Sequence, residues 1–383
     1  MQKFDVVIIG GGMVGASLAR ALSTLPLSIA LIDSSPIEKP EDHRLIALNY
    51  GSVCFFKNLN VWDELKPYAG KIQTVHASTQ GRFGSTRIRA EELNLPALGY
   101  VVPAKNINAV LATHYKQLRL TELSQTKESV NLVFDTGEVI QAQFVIAADG
   151  SHSTVRELLK IPTEKHDYKQ TALVTETILS REHKNIAYER FLKEGVLAML
   201  PLKGEKVATI WTASNEKIAA LGQLSDEAFL SELQREFGFR LGRFKGLGKR
   251  ATYPLQFIKA NQPPNDRVLL IGNAARTLHP LAAQGLNLAL YEVALLAQLF
   301  TEKPLDQIYL QEFNSDSFSQ KLNTRVSHYL TSLFSTDLAP LGVLRQCGMV
   351  GMDILGGLKK PFAASLAGQS GPLPRLFLDS EKV

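Results

Sequence analysis

The sequence predicts an α/β protein in which a domain built on a parallel sheet is interrupted by a mostly antiparallel sheet. Residues 4–33 read as a strand, a glycine turn, a helix and a second strand, which is how a parallel sheet begins. Residues 168–260 contain several short runs rich in β-branched and aromatic residues, a pattern typical of antiparallel strands. At residues 267–272 the strand RVLLIG returns to the first pattern, and the remainder of the chain is largely helical.

The composition is that of an ordinary globular protein with two or three domains. The chain has 383 residues, of which 45% are hydrophobic and 21% are charged. The net charge of +5 is small and both signs are interspersed, so we expect no nucleic-acid partner. The two cysteines, Cys54 and Cys347, form no CxxC pattern, and the histidines show no metal-ligand spacing. We therefore expect a reducing compartment, no disulfide framework and no metal.

The N-terminal sequence and the hydropathy predict the cellular location. A strand begins at Phe4, which leaves no room for a signal peptide. No apolar run approaches the roughly 18 residues that a membrane span needs. We expect a cytoplasmic protein and leave open a peripheral contact with the inner membrane surface.

The N-terminal turn carries the pattern GxGxxG between a strand and a helix. Gly10 permits the tight turn, Gly12 lets the backbone approach a pyrophosphate, and Gly15 allows the helix to pack closely on the strand. Asp33 ends the next strand, where a carboxylate accepts hydrogen bonds from ribose hydroxyls. This combination predicts a Rossmann-like dinucleotide site. Asp33 would repel the 2′-phosphate of NADP, which argues against NADP at this site. FAD and NAD both stay open at this point.

Two later segments follow predicted strands and resemble further cofactor motifs. The first is ADGSHSTVR at 148–156, and the second is GNAARTLHPLAAQGLNL at 272–288. Together with the N-terminal glycines they resemble the three fingerprints of FAD-dependent aromatic hydroxylases. Shorter segments, such as DHRLIAL at 42–48 and YERF at 188–191, resemble the branch of that family that acts in ubiquinone biosynthesis. A third glycine-rich segment, GRFKGLG at 242–248, follows no clear strand and is predicted to be a loop.

The resemblance implies a set of cofactor-binding residues. These are Gly10, Gly12, Met13, Val14, Gly15, Asp33, Arg44, Lys105, Asp149, Gly150, Arg156, Asn273, Pro280, Gly285, Leu286 and Asn287. His279 and Pro280 are candidates for residues beside the flavin. No catalytic side chain is assigned, because the flavin carries the chemistry. Asn273 departs from the broader family, which usually has Asp there. An amide can still hydrogen-bond the ribityl hydroxyls, although without charge assistance.

The resemblance also implies an activity. We expect an FAD-dependent monooxygenase that uses NADPH or NADH and O2, through a flavin C4a-hydroperoxide, to hydroxylate a polyprenylated phenol in ubiquinone biosynthesis. The specific expectation is conversion of a 2-polyprenyl-6-methoxyphenol to the corresponding benzoquinol. Two alternatives stay open: a hydroxylase of the same fold with another aromatic substrate, and a non-catalytic FAD-binding scaffold subunit. Expected partners are the polyprenyl-phenol substrate and other proteins of ubiquinone biosynthesis.

These patterns predict a discontinuous domain organisation. The Rossmann-like FAD-binding domain is expected to comprise 1–75, 100–167 and 262–310. The substrate domain, with its antiparallel sheet, is expected to comprise 76–99 and 168–261. Residues 311–383 are expected to form a C-terminal helical region, and its apolar, glycine-rich part is a candidate surface for the prenyl chain or the membrane.

Overall fold

The computed structural model describes residues 1–36, 42–81, 85–262, 265, 267–277, 284–310, 313 and 356–379. The strands within these residues are β1 (Gln2–Ile9), β2 (Ile29–Asp33), β3 (Leu45–Asn49), β4 (Gly70–Ile72), β5 (Thr74–Thr79), β6 (Ser85–Arg89), β7 (Gly99–Pro103), β8 (Lys116–Gln117), β9 (Leu120–Gln125), β10 (Val130–Phe134), β11 (Val139–Ala147), β12 (Thr163–Leu179), β13 (Ile186–Phe191), β14 (Val196–Pro201), β15 (Lys206–Ser214), β16 (Phe244–Leu247), β17 (Ala251–Ala260), β18 (Val268–Leu270) and β19 (Arg276–Thr277). The α-helices there are α1 (Met13–Leu22), α2 (Tyr50–Asn58), α3 (Trp62–Leu65), α4 (Ala104–Val110), α5 (Thr154–Leu158), α6 (Asn215–Gln223), α7 (Asp226–Phe237), α8 (Gln284–Glu302) and α9 (Gly356–Leu366).

A seven-stranded sheet forms the first half of the molecule. Its strand β1 pairs in parallel with β2 and with β11, and β18 pairs in parallel with the end of β11. Alternate residues of β1 are buried on opposite faces, since Val6 and Ile8 contact the apolar sides of α1 and α8, whereas Val7 and Ile9 lie in a second cluster. Burial on both faces explains why residues 6–9 of this strand are a continuous apolar run.

A nine-stranded sheet forms the second half. Its order is β19-β17-β12-β15-β14-β13-β5-β6, with β16 beside β12, and its pairings are antiparallel except for β13 with β5. One face packs against α6 and α7. The opposite face packs against a small three-stranded sheet made of β3, β7 and β4. The nine-stranded sheet is therefore enclosed between two helices and the cofactor-side half of the molecule.

The predicted fold class is confirmed, because a mostly parallel, Rossmann-like sheet, in which β9 and β10 are antiparallel, and a mostly antiparallel sheet are interleaved along one chain. The loop predicted for 242–248 is wrong: β16 lies inside this segment and pairs with the end of β12, where partner hydrogen bonds override a glycine-rich sequence. The domain boundaries stay a prediction. Of the C-terminal region, the structure describes α9 and a short 3₁₀ turn at Arg375–Phe377.

Candidate cofactor site

The N-terminal turn is held by close backbone contacts. Gly10 has a φ of +108°, and a Cβ there would lie 2.5 Å from the carbonyl oxygen of Ala148. A Cβ on Gly15 would lie 1.9 Å from the carbonyl oxygen of Gly10. At both positions only glycine fits, because the fold itself requires the space. The turn thus brings α1 against β1 and brings the end of β11 beside it.

Gly12 differs from its neighbours, since a Cβ there would meet no described atom within 4 Å. It caps α1 without a side-chain hydrogen bond, and the next two residues, Met13 and Val14, begin the helix. The first turn of α1 contains no acidic residue, so no carboxylate of the helix itself competes for its N–H groups and the positive end of its dipole. This end of α1 therefore has the properties that bind a phosphate group.

Asp33 lies at the end of β2 and anchors this turn. One of its carboxylate oxygens accepts a hydrogen bond from the N–H of Gly11 at 2.7 Å, and the other accepts from the N–H of Ser35 at 2.8 Å. Each carboxylate oxygen has two acceptor positions, so these bonds leave capacity for hydroxyl donors. The structure therefore adds a positioning role to the ribose contact that the sequence predicts.

The second motif follows β11. Gly150 has a φ of +80°, and a Cβ there would meet no described atom within 4 Å. The Asp149 carboxylate accepts a hydrogen bond from the N–H of Val155 at 3.2 Å, while its Oδ1 atom is buried and has no hydrogen-bond partner within the described residues. Burial raises the pKa of Asp149, although hydrogen bonds from Ser153 and Val155 oppose the shift. An unpartnered acceptor of this kind suits a hydroxyl donor of a ligand.

Arg156 connects the second motif to the third. Its side chain is buried, and its guanidinium donates to the carbonyl oxygen of Ala274 at 2.9 Å and to that of Ser151 at 2.6 Å. The hydrogen bonds hold the loop after β11 against the turn after β18. The guanidinium acts here on protein carbonyls, so the structure gives Arg156 a positioning role, and its predicted contact with the cofactor stays a prediction.

The third motif begins at a 3₁₀ turn, Gly272–Ala274, that a buried carboxylate supports. Glu292 of α8 is 1% exposed, accepts a hydrogen bond from the N–H of Gly272 at 2.9 Å and pairs with Arg276. A Cβ on Gly272 would lie 3.3 Å from the side chain of Val14. Val14 of the first motif therefore lies directly against the third, and all three motifs meet at the carboxyl ends of β1, β11 and β18. Asn273 is exposed on this turn.

The start of α8 faces β3. Asn287 is buried, donates to the carbonyl oxygen of Ala47 at 2.9 Å and accepts from the N–H of Asn49 at 2.9 Å. Gly285 is exposed, a Cβ there would meet no described atom within 4 Å, and Leu286 is partly buried. Asn287 therefore fixes the helix start while Gly285 leaves its backbone open to an approaching group. His279 and Pro280 lie outside the described residues.

Two basic residues of the predicted set lie on segments flanking β3 and β7. Arg44 precedes β3, and its guanidinium forms an ion pair with Asp42 at 2.7 Å. Burial alone would raise the pKa of Asp42, but the hydrogen bonds and charge of Arg44 hold this pKa below its usual value. The hydrogen bond to Asp42 in turn raises the pKa of Arg44. Burial and the nearby Asp42 raise the pKa of Tyr253 on β17. Lys105 is exposed in the first turn of α4.

These features fit FAD. Gly12, Gly150 and Gly285 present open backbone, which a pyrophosphate or a flat ring can approach closely. The α1 N-terminus suits the phosphates, and the Asp33 and Asp149 carboxylates suit hydroxyl groups. When bound, FAD supplies the redox and oxygen chemistry.

Comparison with known proteins decides the family. Residues 3–303 match the model of the FAD binding domain. The chain belongs to this family. It is 30% identical to the ubiquinone hydroxylase UbiL of Rhodospirillum rubrum, over 97% of this chain and 91% of that one. It is 29% identical to the 3-demethoxyubiquinol 3-hydroxylase of Escherichia coli, over 94% of this chain and 97% of that one.

Solved structures agree on the fold. The p-nitrophenol 4-monooxygenase PnpA of Pseudomonas putida superposes with a TM-score of 0.73 at 14% identity, over 97% of this chain and 100% of that one. HpxO of Klebsiella pneumoniae, solved with FAD and uric acid, superposes with a TM-score of 0.74 at 15% identity, over 95% and 96% of the two chains. The protein is an FAD-dependent aromatic monooxygenase, and the FAD prediction is confirmed; NAD(P)H is the co-substrate typical of this family.

Two charged residues that matter for this geometry are missing from the sequence-based set. Glu292 is the one acidic residue in the apolar run LNLALYEVALLAQLF, and that isolation was a usable signal. Asp42, two residues before Arg44, offers no comparable signal, because its pairing depends on how the segment before β3 bends. Among the described residues no group of three or more His, Cys, Asp or Glu could hold a metal ion. None of the described helices is long and apolar enough to cross a membrane.

Proposed function

We propose that the protein hydroxylates the ring of a polyprenylated phenol in ubiquinone biosynthesis, with FAD, NAD(P)H and O2. The observation that carries this proposal is the similarity to ubiquinone hydroxylases along nearly the full length of both chains. The specific reaction that we propose is the conversion of a 2-polyprenyl-6-methoxyphenol to the corresponding benzoquinol. The cofactor-binding residues predicted from the sequence remain part of this proposal.

The nine-stranded sheet supplies a surface for an apolar aromatic substrate. On β12 and β14, alternate residues such as Leu173 and Met199 pack against α6 and α7, which leaves the other face of each strand toward the cofactor-side half. Leu200 and Ile210 lie on that second face and pack with β3 residues. A substrate held between this face and the flavin is shielded from water, as oxygen transfer to a ring requires.

In this proposal the C-terminal region binds the prenyl chain of the substrate. Residues 341–355 of its apolar segment lie outside the described residues. The described part contributes Phe362, Ala363 and Leu366, which pack with the same apolar cluster as the sheet face. We place the phenol ring at the sheet and the prenyl chain toward this side, where the protein also contacts the membrane surface.

Mass spectrometry of quinone intermediates in cells that lack the gene tests the proposal. We expect the prenylated methoxyphenol to accumulate and the quinone to fall, and a plasmid copy of the gene to reverse both changes. Accumulation of a different aromatic compound would favour a hydroxylase with another substrate. An unchanged quinone pool, with the purified protein yellow but not reduced by either nicotinamide, would favour the scaffold alternative.

A further inference from the structure

Glu189 occupies the centre of the nine-stranded sheet. It lies on β13, opposite Ala77 of β5 and Ala198 of β14. The next positions in the same row are Thr86 and Ile210. Both direct neighbours are alanines, so neither of these two side chains is long enough to reach over the carboxyl group.

The register shows which way the carboxyl points. Side chains alternate along a strand, so Glu189 shares its face with Ala187 and opposes Tyr188. Ala187 packs with Leu45 and Val101 of the cofactor-side half, whereas Tyr188 contacts the ring of Phe237 on α7. Glu189 therefore projects toward the half of the molecule that holds FAD.

A neighbouring row of residues on the same sheet face also points toward the cofactor-side half. Thr212, Ala172 and Tyr253 form the neighbouring row on β15, β12 and β17. Tyr253 is close enough to the Asp42–Arg44 pair for Asp42 to affect its pKa. Arg44 immediately precedes β3, so the row next to that of Glu189 faces the predicted cofactor contacts.

The carboxyl of Glu189 has no partner of its own. Its side chain is partly exposed, and within the described residues its carboxyl makes no hydrogen bond or ion pair. Burial raises the pKa of Glu189 to about 7. Among the described residues, the charged and titratable groups that border the face include Glu176 with Lys206, Lys359 with Glu92, the exposed Lys360, and Asp42 with Arg44 beside Tyr253. Each of these carboxylates already has a cationic partner, and Glu189 does not.

We propose that Glu189 is a catalytic residue whose carboxylate accepts the proton of the substrate's phenolic hydroxyl during hydroxylation of the ring. This inference rests on the proposed function. A partly buried carboxylate without a hydrogen-bond partner in the described protein is costly, and a hydroxyl donor from the substrate satisfies it. A group that titrates near neutral pH is also suited to receive and return a proton.

The proton transfers balance over the reaction. As the ring carbon forms its new C–O bond, the phenolic O–H bond breaks, its proton moves to Glu189, and the electron pair is donated into the ring. The same carbon then loses its C–H proton to solvent, the ring regains aromaticity, and Glu189 returns its proton to the phenolic oxygen. One oxygen atom of O2 enters the ring, the other becomes water, and NAD(P)H supplies the two electrons.

The test compares the wild-type holoenzyme with Glu189→Gln, using a 2-methoxyphenol that carries a short prenyl chain. We expect kcat for the hydroxylated product to fall about 100-fold or more, the usual contribution of a general base. NAD(P)H oxidation should continue and yield hydrogen peroxide instead of product, so the coupling ratio should fall with it. In the wild type, kcat/KM should decrease below about pH 7, and Glu189→Gln should lose that dependence.

Two variants serve as controls. Glu176→Gln removes a carboxylate on the same sheet face, but one that is paired with Lys206 at 3.4 Å and partly exposed, so coupling should not change. Glu189→Asp keeps a carboxylate and should restore part of the coupling and the acid limb of the pH profile. FAD content and melting temperature, measured for all variants, separate a loss of chemistry from a loss of fold.

The outcomes distinguish the two levels of the proposal. Wild-type activity with an equally coupled Glu189→Gln, or an unchanged pH profile, overturns the role of Glu189 and leaves the proposed function standing. A wild-type holoenzyme that forms no product from the phenol overturns the proposed function and the inference together. Loss of FAD from Glu189→Gln would show a role in holding the cofactor and would also overturn the inference.

Discussion

The two halves of the molecule contribute different kinds of groups to the site. The FAD-binding half uses backbone: glycines, helix N–H groups and carboxylates that fix turns, such as Asp33 and Glu292. The nine-stranded sheet uses single titratable side chains whose pKa values are shifted by burial, with Glu189 on one face and His76 on the other. Gly10 and Gly15 depend on close packing and tolerate little change. We expect the two side chains of the sheet to cost stability and to be replaceable without loss of fold.

Replacing Gly15 with Ala should have the largest effect, because its Cβ would lie 1.9 Å from the Gly10 carbonyl oxygen, which is backbone and cannot move aside cheaply. We expect a loss of at least ~3 kcal/mol of folding free energy, with or without FAD. Chemical denaturation of the apoprotein measures it. A variant that folds as well as the wild type would show that the turn has more freedom than its contacts indicate.

Replacing Gly12 with Ala should separate cofactor binding from folding. A Cβ there meets no described atom, so the apoprotein should keep its melting temperature, while FAD should bind at least about tenfold more weakly, ~1.4 kcal/mol, because the methyl group occupies the approach to the pyrophosphate. Fluorescence titration with FAD measures the affinity. Gly222→Ala in α6 is the matched control, since its Cβ is equally free and lies in another helix. Equal FAD affinity in both variants would contradict this placement of the phosphates.

Glu189→Gln should stabilise the fold above neutral pH. Folding raises the pKa of Glu189 from about 4.5 to about 7, so the folded state prefers the protonated form and wild-type stability falls as pH rises between these values. We expect the variant to gain on the order of 2 kcal/mol over the wild type at pH 8, after allowance for partial exposure, and nothing at pH 4. Denaturation at a series of pH values measures the difference. A constant difference across the range would refute burial as the cause.

His76→Gln should show the opposite pH dependence on the opposite face. Burial, followed by repulsion from Arg240, Arg87 and Arg190, lowers the pKa of His76 to about 4. The folded state therefore prefers the neutral ring, and wild-type stability falls as pH drops from about 6.5 toward 4. We expect the wild type to lose on the order of 1 kcal/mol relative to the variant between pH 7 and pH 5. If the stabilities of the His76 and Glu189 variants changed with pH in the same direction relative to the wild type, the proposed difference between the two sheet faces would be wrong.

Asn273→Asp should have the smallest effect. Asn273 is exposed on the turn supported by Glu292, and either side chain can accept a hydrogen bond from a ribityl hydroxyl. We expect FAD affinity to change less than about tenfold. The absorbance spectrum of the purified variant measures bound FAD. A colourless variant beside a yellow wild type would refute this tolerance.

The same contrast explains what the sequence could predict. Gly15 is predictable because its close contact, with the carbonyl of Gly10, is local to one strand and one helix. Gly10 is predictable from its φ of +108° in the same turn, although its contact with Ala148 comes from the distant strand β11. The alternation of residues in YERF predicts that Glu189 and Tyr188 lie on opposite faces of the strand. It does not predict which of these faces meets the cofactor-side half. That choice depends on the parallel pairing of β13 with β5, more than one hundred residues earlier in the chain. Glu189 was therefore not among the predicted site residues, and β16 was predicted to be a loop for a similar reason.

Turnover under oxygen-18 gas tests the central claim most directly. Purified protein would be given NADH or NADPH and a short-chain prenylated methoxyphenol, and its product would be examined by mass spectrometry. We expect the phenol to stimulate NAD(P)H oxidation and the product to contain one labelled oxygen atom on the ring. NAD(P)H oxidation that the phenol does not stimulate, with no label in any aromatic product, would contradict the assignment of this protein as a phenol hydroxylase.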